Sequence, residues 1–227
     1  MRLCIGQAAL TGKLSRYAQN FNLLELRADL GAIARPPRLR EYRAAAPPGF
    51  VFSVLSAREL ADLTPGEATD KALSYAEKAV AALDAEWFVL QTGSGLAPSA
   101  RGRARLEAAL ERASTWGKRL AWEPRGPWAT EQAREFCAER GLTLVGDCAL
   151  EDPTPGSVLY SRVRAIGAAG RITSGAGDRI VDRISGFEEA FIVVESASAK
   201  SLARSLRQEL DVDSLGQDEP AFDEEEE

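Results

Sequence analysis

Charged residues follow an uninterrupted apolar run near the middle of the chain, in residues 119–128. The run Leu120, Ala121, Trp122 is followed directly by Glu123 and, two residues later, Arg125. An apolar run without polar alternation is typical of a parallel strand buried on both faces, and ligands bind at the carboxyl ends of such strands. Glutamate acts as a general base if burial raises its pKa towards neutrality. Arginine offers a planar fork for a carboxylate or phosphate. The stretch therefore predicts a site with Glu123 as the candidate base.

Polar residues also end or follow most of the other predicted strands. If the strands form a barrel, their carboxyl ends meet at one mouth, where the active sites of that fold lie. Trp128 is included among the candidate ligand contacts because an aromatic ring beside polar groups can stack on a sugar or a base. The alternative is that Trp128 packs in the hydrophobic core. The candidate ligand contacts are Glu25, Arg27, Gln91, Arg125, Trp128, Asp147 and Arg162. A purely structural interpretation stays open, in which Glu123 and Arg125 pair with Arg162 and Glu25 as ion pairs.

The candidate residues lie at or near the ends of eight apolar segments, which alternate with helical patterns. Helical spacing is clearest at Leu73, Ala76, Val80 and Leu83. Eight strands in about 210 residues favour an α/β fold of the closed, TIM-barrel-like (β/α)8 type over an open doubly wound sheet. The barrel is expected to be somewhat irregular, because residues 149–157 leave no room for a full helix. The predicted strands are residues 3–7, 23–27, 50–55, 87–91, 120–122, 142–146, 158–163 and 190–194.

Turn and capping residues set the expected helix ends. Thr64 and Glu67 have the spacing of a capping box, and Thr130 is a candidate cap of a later helix. Gly117 and Gly141 are expected to end the helices that precede them. The glycine-rich residues 167–177 are predicted to form a mobile loop, followed by a helix from Asp178.

Composition limits the chemistry available to the chain. It contains no histidine, which excludes Ser-His and Cys-His nucleophiles, histidine-containing zinc sites and imidazole catalysis. The three cysteines, Cys4, Cys137 and Cys148, are widely spaced in apolar surroundings and are expected to be buried thiols. No metal site or cofactor is assigned, and the cofactor stays unknown. The chain has no apolar segment of membrane-spanning length and no signal peptide, so a cytoplasmic protein without a membrane partner is expected.

Charge is unevenly distributed along the chain. Of its 34 acidic residues, nine lie in residues 211–227, which contain no Lys or Arg; residues 1–210 therefore carry 28 basic against 25 acidic side chains. A terminal block of like charge is typically disordered. We therefore predict a TIM-barrel-like domain over residues 1–210 and a disordered acidic tail over residues 211–227. The tail is a candidate contact for a protein partner, and it opposes nucleic-acid binding.

Five segments, in order, resemble motifs of the YecE-like family, domain of unknown function 72. Residues 22–25 are similar to its FNTVEIN strand, and residues 48–54 to its P-x-GF-x-F-S-V-K segment. Residues 90–91 stand where the family has LFQLPP. Glu123, Arg125 and Trp128 resemble its E-x-RH-x-x-W, and residues 160–162 resemble its YVRLHG. The chain is identified as a diverged member, which implies a TIM-barrel-like fold related to sugar isomerases.

The departures from the family pattern cluster at the expected mouth. Leu55 replaces the usual Lys, Gly126 and Arg164 replace the two usual histidines, and residues 195–196 replace an asparagine pair. The family's presumed catalysis is therefore doubtful in this chain. The first hypothesis is a barrel that binds a small polar or anionic, sugar-like ligand. The alternatives are an eroded barrel that acts as a protein-interaction module, and a metal-dependent isomerase or endonuclease-like enzyme with an all-carboxylate site.

Overall fold

The computed structural model describes residues 1–29, 34–164 and 174–210. The apolar segments form strands and the amphipathic segments form helices. The strands are β1 Arg2–Gln7, β2 Leu23–Arg27, β3 Val51–Leu55, β4 Trp87–Thr92, β5 Arg119–Pro124, β6 Thr143–Leu144, β7 Val158–Arg164 and β8 Glu189–Glu195. The helices are α1 Leu14–Ala18, α2 Pro36–Ala45, α3 Glu67–Leu83, α4 Ala100–Ser114, α5 Thr130–Arg140, α6 Ser174–Ile184 and α7 Ala199–Glu209, with a 3₁₀ helix at Arg58–Leu60.

All eight strands are parallel and lie in the order β6-β5-β4-β3-β2-β1-β8-β7. The two edge strands of this order, β6 and β7, are joined by one β-bridge between Gly146, just after β6, and Ser161 of β7. The amide of Arg162 donates to the carbonyl of Gly146 at 2.9 Å. The sheet thus forms a nearly closed barrel, which confirms the predicted TIM-barrel-like fold. The predicted irregularity lies at the same place, since residues 145–157 contain no helix.

Alternation along the strands divides the core into two layers. One set of side chains, which includes Leu23, Trp87, Tyr160 and Phe191, packs inside the barrel. The other set packs between the sheet and the surrounding helices. The three cysteines are free and buried, as expected, and burial raises the pKa of Cys148 to about 12. Each strand therefore sends every second residue into the barrel interior, which decides the side chains that reach its mouth.

Helix starts differ from the sequence expectation, whereas one helix end agrees with it: Gly141 caps α5, while α4 ends at Ser114 with Thr115 as its cap. The capping box was wrong: Gly66 precedes α3, and no side chain caps that end. Thr130 is the first helical residue of α5 rather than its cap, which is Ala129. Gly117 and Gly141 do take left-handed conformations, with φ of 66° and 63°. Only glycine adopts that conformation without strain, which explains why the end of α5 was predictable.

Two sequence predictions concern residues that are not described. The acidic tail, residues 211–227, lies outside the described residues, and so do positions 167–173 of the predicted glycine-rich loop. The helix expected from Asp178 begins earlier, at Ser174. Within the described ranges, no helix combines the length and apolar character needed to cross a bilayer. The domain boundary at residue 210 and the location of the protein in the cell stay predictions.

Candidate functional site

Alternation places charged side chains at the inner, carboxyl ends of the strands. In β5, Ala121 packs in the apolar interior and Glu123, two residues further on, lies above it. In β7, Tyr160 is followed at the same spacing by Arg162 and Arg164. The interior therefore changes from apolar to charged on the way to the mouth. The other inner residues of this charged layer are Glu25 and Arg27 of β2, Gln91 of β4 and Glu195 of β8.

Arg162 lies at the centre of the charged layer and is fully buried. Its Nη1 atom lies 2.6 Å from Oε1 of Glu25, and its Nη2 donates to Oε2 of the same carboxylate at 3.0 Å. Its Nε donates to Oε2 of Glu123 at 2.8 Å, and Nη1 donates to Oε1 of Glu195 at 3.0 Å. Burial lowers the pKa of Arg162, but the neighbouring carboxylates outweigh burial and raise it. Arg162 is therefore a permanent buried cation held by three strands.

Glu25 lies at the bottom of this layer, with none of its surface exposed. The hydroxyl of Tyr160 donates to its Oε2 at 2.7 Å and lies 2.8 Å from Oγ of Ser53. Burial raises the pKa of Tyr160 well above its ordinary value, so the phenol stays protonated as a donor. Glu25 is thus fixed from below by Tyr160 and from above by Arg162.

Glu123 accepts hydrogen bonds from four side chains. Gln91 donates to its Oε2 at 2.8 Å, and Arg125 donates to its Oε1 at 2.9 Å. Arg164 contacts the same Oε1 atom, and Arg162 contacts Oε2. Burial favours the neutral acid, but the three guanidinium groups outweigh it and lower the pKa of Glu123 to about 2. The general-base hypothesis required a raised pKa, and the arginines act in the opposite direction.

Gln91 links Glu123 to a second side of the mouth. Its side-chain oxygen accepts from Nη2 of Arg27 at 2.9 Å. The other terminal nitrogen of Arg27 donates to the carbonyl of Ser56 at 3.2 Å. Arg27 and Gln91 therefore extend the charged layer from β5 towards β2 and β3.

Asp147 lies in the irregular segment after β6 and is buried. One carboxylate oxygen accepts from the amide of Ala149 and the other from the amide of Arg164, each at 3.0 Å. Burial raises the pKa of Asp147, against the effect of these two amides. Asp147 therefore joins the segment that replaces a helix to the end of β7.

Trp128 is the one candidate that lies among apolar neighbours rather than in the charged layer. Its indole N–H donates to the carbonyl of Leu96 at 2.8 Å. Its ring packs edge-on against Trp122 and Phe136, with centroids 4.8 and 5.6 Å away. Only 8% of Trp128 is exposed. Trp128 therefore packs in the hydrophobic core, which was the alternative to a ligand contact.

A cavity of about 310 Å³ lies at the outer edge of the charged layer, on the side of β5 and β7. Arg125 and Arg164 face it with 44% and 37% of their side chains exposed. Asp147 and Glu151 also line it. Its lining is Glu123, Pro124, Arg125, Val145, Gly146, Asp147, Leu150, Glu151 and Arg164. Three of the predicted site residues, Glu123, Arg125 and Asp147, thus share one cavity.

Two residues of the mouth were missing from the candidate set, although both stand at predicted strand ends. Arg164 contacts Glu123, and its Nε lies 3.5 Å from Oε2 of Glu195. The signal for Arg164 is its spacing of two from Arg162, which puts both on one face of β7. Glu195 is the last residue of β8.

The carboxylates of the mouth do not fit a bound metal ion. Glu25 and Glu123 direct their oxygens at Arg162, and Asp147 directs its oxygens at backbone amides. In residues 1–29, 34–164 and 174–210, no group of three or more His, Cys, Asp or Glu side chains is arranged to hold a metal. The all-carboxylate metal site is therefore not formed by these residues.

The family model described as "Protein of unknown function DUF72" matches residues 6–223. A DUF72 protein from Enterococcus faecalis V583 superposes with a TM-score of 0.72 at 15% identity, covering 93% of this chain and 98% of that one. A DUF72 protein from Thermotoga maritima MSB8 gives 0.70 at 15% identity, covering 93% and 100%. A xylose isomerase domain protein from Planctomyces limnophilus gives 0.60 at 10% identity, covering 92% and 94%. No curated protein matches the sequence.

Proposed function

The chain belongs to the DUF72 family of proteins of unknown function, and we propose that its barrel mouth binds a small, sugar-like ligand that carries an anionic group. The family resemblance and the fold shared with a xylose isomerase domain protein support a sugar-isomerase-like barrel. The observation that carries the proposal is the pair Arg125 and Arg164. Both are more than one third exposed, and both line the same cavity.

Arg125 and Arg164 share one oxygen of one carboxylate. Each contacts Oε1 of Glu123 through a single nitrogen, whereas a guanidinium has five N–H donors. Arg164 also faces Glu195, with its Nε atom 3.5 Å from Oε2. The donors of both arginines that face the cavity are the ones we assign to the ligand. Two such groups side by side suit a carboxylate or a phosphate, which guanidinium binds in a bidentate manner.

The acidic residues of the lining suggest the rest of the ligand. Glu151 is exposed and lines the cavity, so its carboxylate can accept hydrogen bonds from hydroxyl groups; both oxygens of Asp147 already accept backbone amides. A volume of about 310 Å³ is at the lower end of the range for small-molecule sites. A sugar acid or a small sugar phosphate has this combination of one anionic end and several hydroxyls.

Binding is better supported than proton abstraction by Glu123. A carboxyl group with a pKa of about 2 is a weak base at neutral pH. The sequence hypothesis also used Arg162 as a ligand contact, but its guanidinium is fully buried among three carboxylates. We therefore assign the anion contact to Arg125 and Arg164 and treat Glu123 as the group that orients them.

A thermal-shift panel tests the proposal. Gluconate, glucuronate and glucose 6-phosphate are compared with neutral glucose at constant ionic strength. We expect at least one anion, but not glucose, to raise the melting temperature. In the double variant R125A/R164A its affinity should fall at least about a hundredfold, because two charge-assisted hydrogen bonds of roughly 1.5–3 kcal/mol each are lost.

The matched control removes two arginines elsewhere. Arg38 and Arg40 are exposed on α2 and lie outside the cavity, so R38A/R40A makes the same change in net charge. This variant should keep the full response. An anion response that survives in R125A/R164A, or that is lost equally in both double variants, would show that the mouth is not the anion site.

A further inference from the structure

One sector of the helical shell concentrates the positive charge of the barrel. Helices α7, α1 and α2, counted with the residues that cap their starts, carry nine basic against two acidic side chains, an excess of seven. Since residues 1–210 have a net charge of +3, all other residues up to 210 together carry −4. We call the nine basic side chains the basic face. They are Lys13 and Arg16 at α1, Arg35, Arg38, Arg40 and Arg43 at α2, and Lys200, Arg204 and Arg207 of α7.

The three helices of the basic face lie side by side. Near the end of α7, Nη1 of Arg207 donates to the carbonyl of Asn20, two residues after α1, at 2.9 Å. Helix α1 packs against α2. The ring of Tyr17 in α1 packs edge-on against Phe50, whose carbonyl accepts from Arg43 of α2 at 3.1 Å. The basic face is therefore one continuous surface.

Most cations of the basic face have no carboxylate partner in the described part of the chain. Arg38 pairs with Glu41, and the other acid of these helices, Glu209, accepts from Ser205. Like charges held close together repel one another, so an anionic segment over them would be stabilising. Six exposed cations form no ion pair with any described residue: Lys13, Arg16, Arg35, Arg40, Lys200 and Arg204.

We propose that the acidic residues 211–227 dock on the basic face of the same chain. This segment lies outside the described residues, and by sequence it holds nine carboxylates and no cation. It follows directly on Leu210, the residue that caps the end of α7. The anionic segment is thus covalently attached next to the face, which gives it a high effective concentration there.

The place where α7 ends allows this contact. Asn20, the partner of Arg207, lies three residues before β2 begins, so α7 ends at the side of the barrel opposite the mouth. The rise of α7 is about 16 Å, and α2 lies about two helix spacings, or roughly 20 Å, away from it. Seventeen residues span up to about 55–60 Å, and seven of the nine carboxylates are in residues 218–227. The segment is therefore long enough to reach α1 and α2.

Docking of this kind depends on the number of charges rather than on any one pair. A single exposed ion pair contributes little and is screened by salt. The contact should therefore form at low ionic strength and disappear at about 0.5 M NaCl, where the Debye length is only about 4 Å. It is independent of the ligand proposed for the mouth, because the mouth lies at the other end of the barrel.

The experiment places a nitroxide label within the acidic segment of the full-length chain. The three native cysteines are buried, so the variant A221C offers one accessible thiol for labelling. The label broadens the amide signals of residues near it in NMR spectra. We expect broadening on α1 and α2 at low salt that is lost at about 0.5 M NaCl. Helices α4 and α5 follow strands on the other side of the barrel and should not be broadened.

Charge reversal tests whether the basic face is responsible. In the labelled chain, R16E/R204E reverses one exposed cation on α1 and one on α7, and the matched control K78E/R101E reverses one on α3 and one on α4. Broadening on α2 should be largely lost in R16E/R204E and kept in K78E/R101E. If R16E/R204E does not fold, the variant E224Q/E225Q/E226Q/E227Q gives the same test, because it changes only the acidic segment.

Three results would overturn the proposal. The first is broadening of α4 and α5 equal to that of α1 and α2, or broadening that salt does not reduce. The second is an equal loss in both double variants, because net charge rather than the basic face would then be responsible. The third is no broadening on α1 and α2, while added poly-glutamate shifts their signals. That result would assign the face to a separate acidic partner instead of residues 211–227.

Discussion

Glu123 shows how the arginines of the mouth determine the state of a single carboxyl group. Its pKa lies near 2, below the value of 4.5 that is ordinary for glutamate. A group with a depressed pKa in the folded state stabilises the fold at pH values above its unfolded pKa. That contribution is lost as the pH falls from about 4.5 towards 2.

This pKa gives a prediction for the variant E123Q. We expect it to be less stable than the native protein by about 3–5 kcal/mol at neutral pH, because Arg162 loses a buried partner. The difference should shrink between pH 4.5 and 2, where the native carboxylate becomes protonated. Urea denaturation as a function of pH measures both effects.

An exposed glutamate provides the control for E123Q. The side chain of Glu131 is 77% exposed and pairs with Arg134. E131Q should change the stability by no more than about 0.5 kcal/mol, as exposed ion pairs contribute little. An E123Q variant as stable as E131Q at every pH would contradict the assigned role of Glu123.

At the scale of elements, the loop after β4 limits the size of the side chain that position 126 can accommodate. The family usually has His where this chain has Gly126. A Cβ atom at this position would lie 2.5 Å from the carbonyl oxygen of Gly93 and 3.2 Å from that of Leu96. The loop between β4 and α4 therefore occupies the space that a side chain would need.

We predict that G126H does not restore a family-like site. The backbone of Gly93 must move to admit any side chain, so G126A alone should cost about 1–3 kcal/mol and G126H more. Thermal unfolding measures the loss. At Gly186 a Cβ would meet nothing within 4 Å, so G186A should be nearly neutral. A fully stable G126H would show that this loop yields easily.

The segment between β6 and β7 contains no helix, and we expect its conformation to depend on hydrogen bonds to Asp147. Its carboxylate accepts from the amides of Ala149 and Arg164. We expect D147A to lose about 1–3 kcal/mol for each amide left without a partner, and D147N to lose less because it keeps one acceptor. Urea denaturation ranks the two variants; equal stability of D147A and the native chain would contradict this role.

D147A should also weaken the response to anions. Asp147 holds the backbone of Arg164, and Arg164 lines the cavity proposed for the ligand. The same thermal-shift panel measures this effect, with D147N as the variant expected to keep more of the response.

At the scale of the whole molecule, charge is divided between the barrel and residues 211–227. The chain has a net charge of −6, and its last 17 residues hold nine carboxylates without a basic residue. A chain ending at Leu210 therefore has a net charge of +3. Long-range attraction of anions depends on this balance and weakens with salt.

We predict that truncation after Leu210 leaves the fold intact and strengthens the anion response at low salt. The gain should disappear at high ionic strength, where the charge of residues 211–227 is screened. Melting temperature and anion affinity at two salt concentrations measure this. Unfolding on truncation would show that the domain boundary at residue 210 is wrong. If residues 211–227 bind a protein partner instead, truncation should abolish capture of that partner without changing the anion response.

The sequence by itself determined the architecture and indicated that charged residues gather at the carboxyl ends of the strands. Eight apolar segments separated by helical patterns, with polar residues at their ends, were enough to predict a TIM-barrel-like fold with an irregularity at residues 149–157. The sequence motifs were enough to identify the family. These features are local, because strand alternation, helix period and helix-ending glycines depend on residues close together in the chain.

Only the tertiary structure decided which charges meet. Arg162 and Glu25 are 137 positions apart, yet their side chains are in contact. No local sequence pattern indicates that Arg162 pairs with Glu25 rather than with another carboxylate. The same holds for the low pKa of Glu123, which needs three arginines at once, and for Trp128, whose place depends on Phe136 and Leu96. Pairing energies depend on distance and burial across the barrel, and both are set only when it closes.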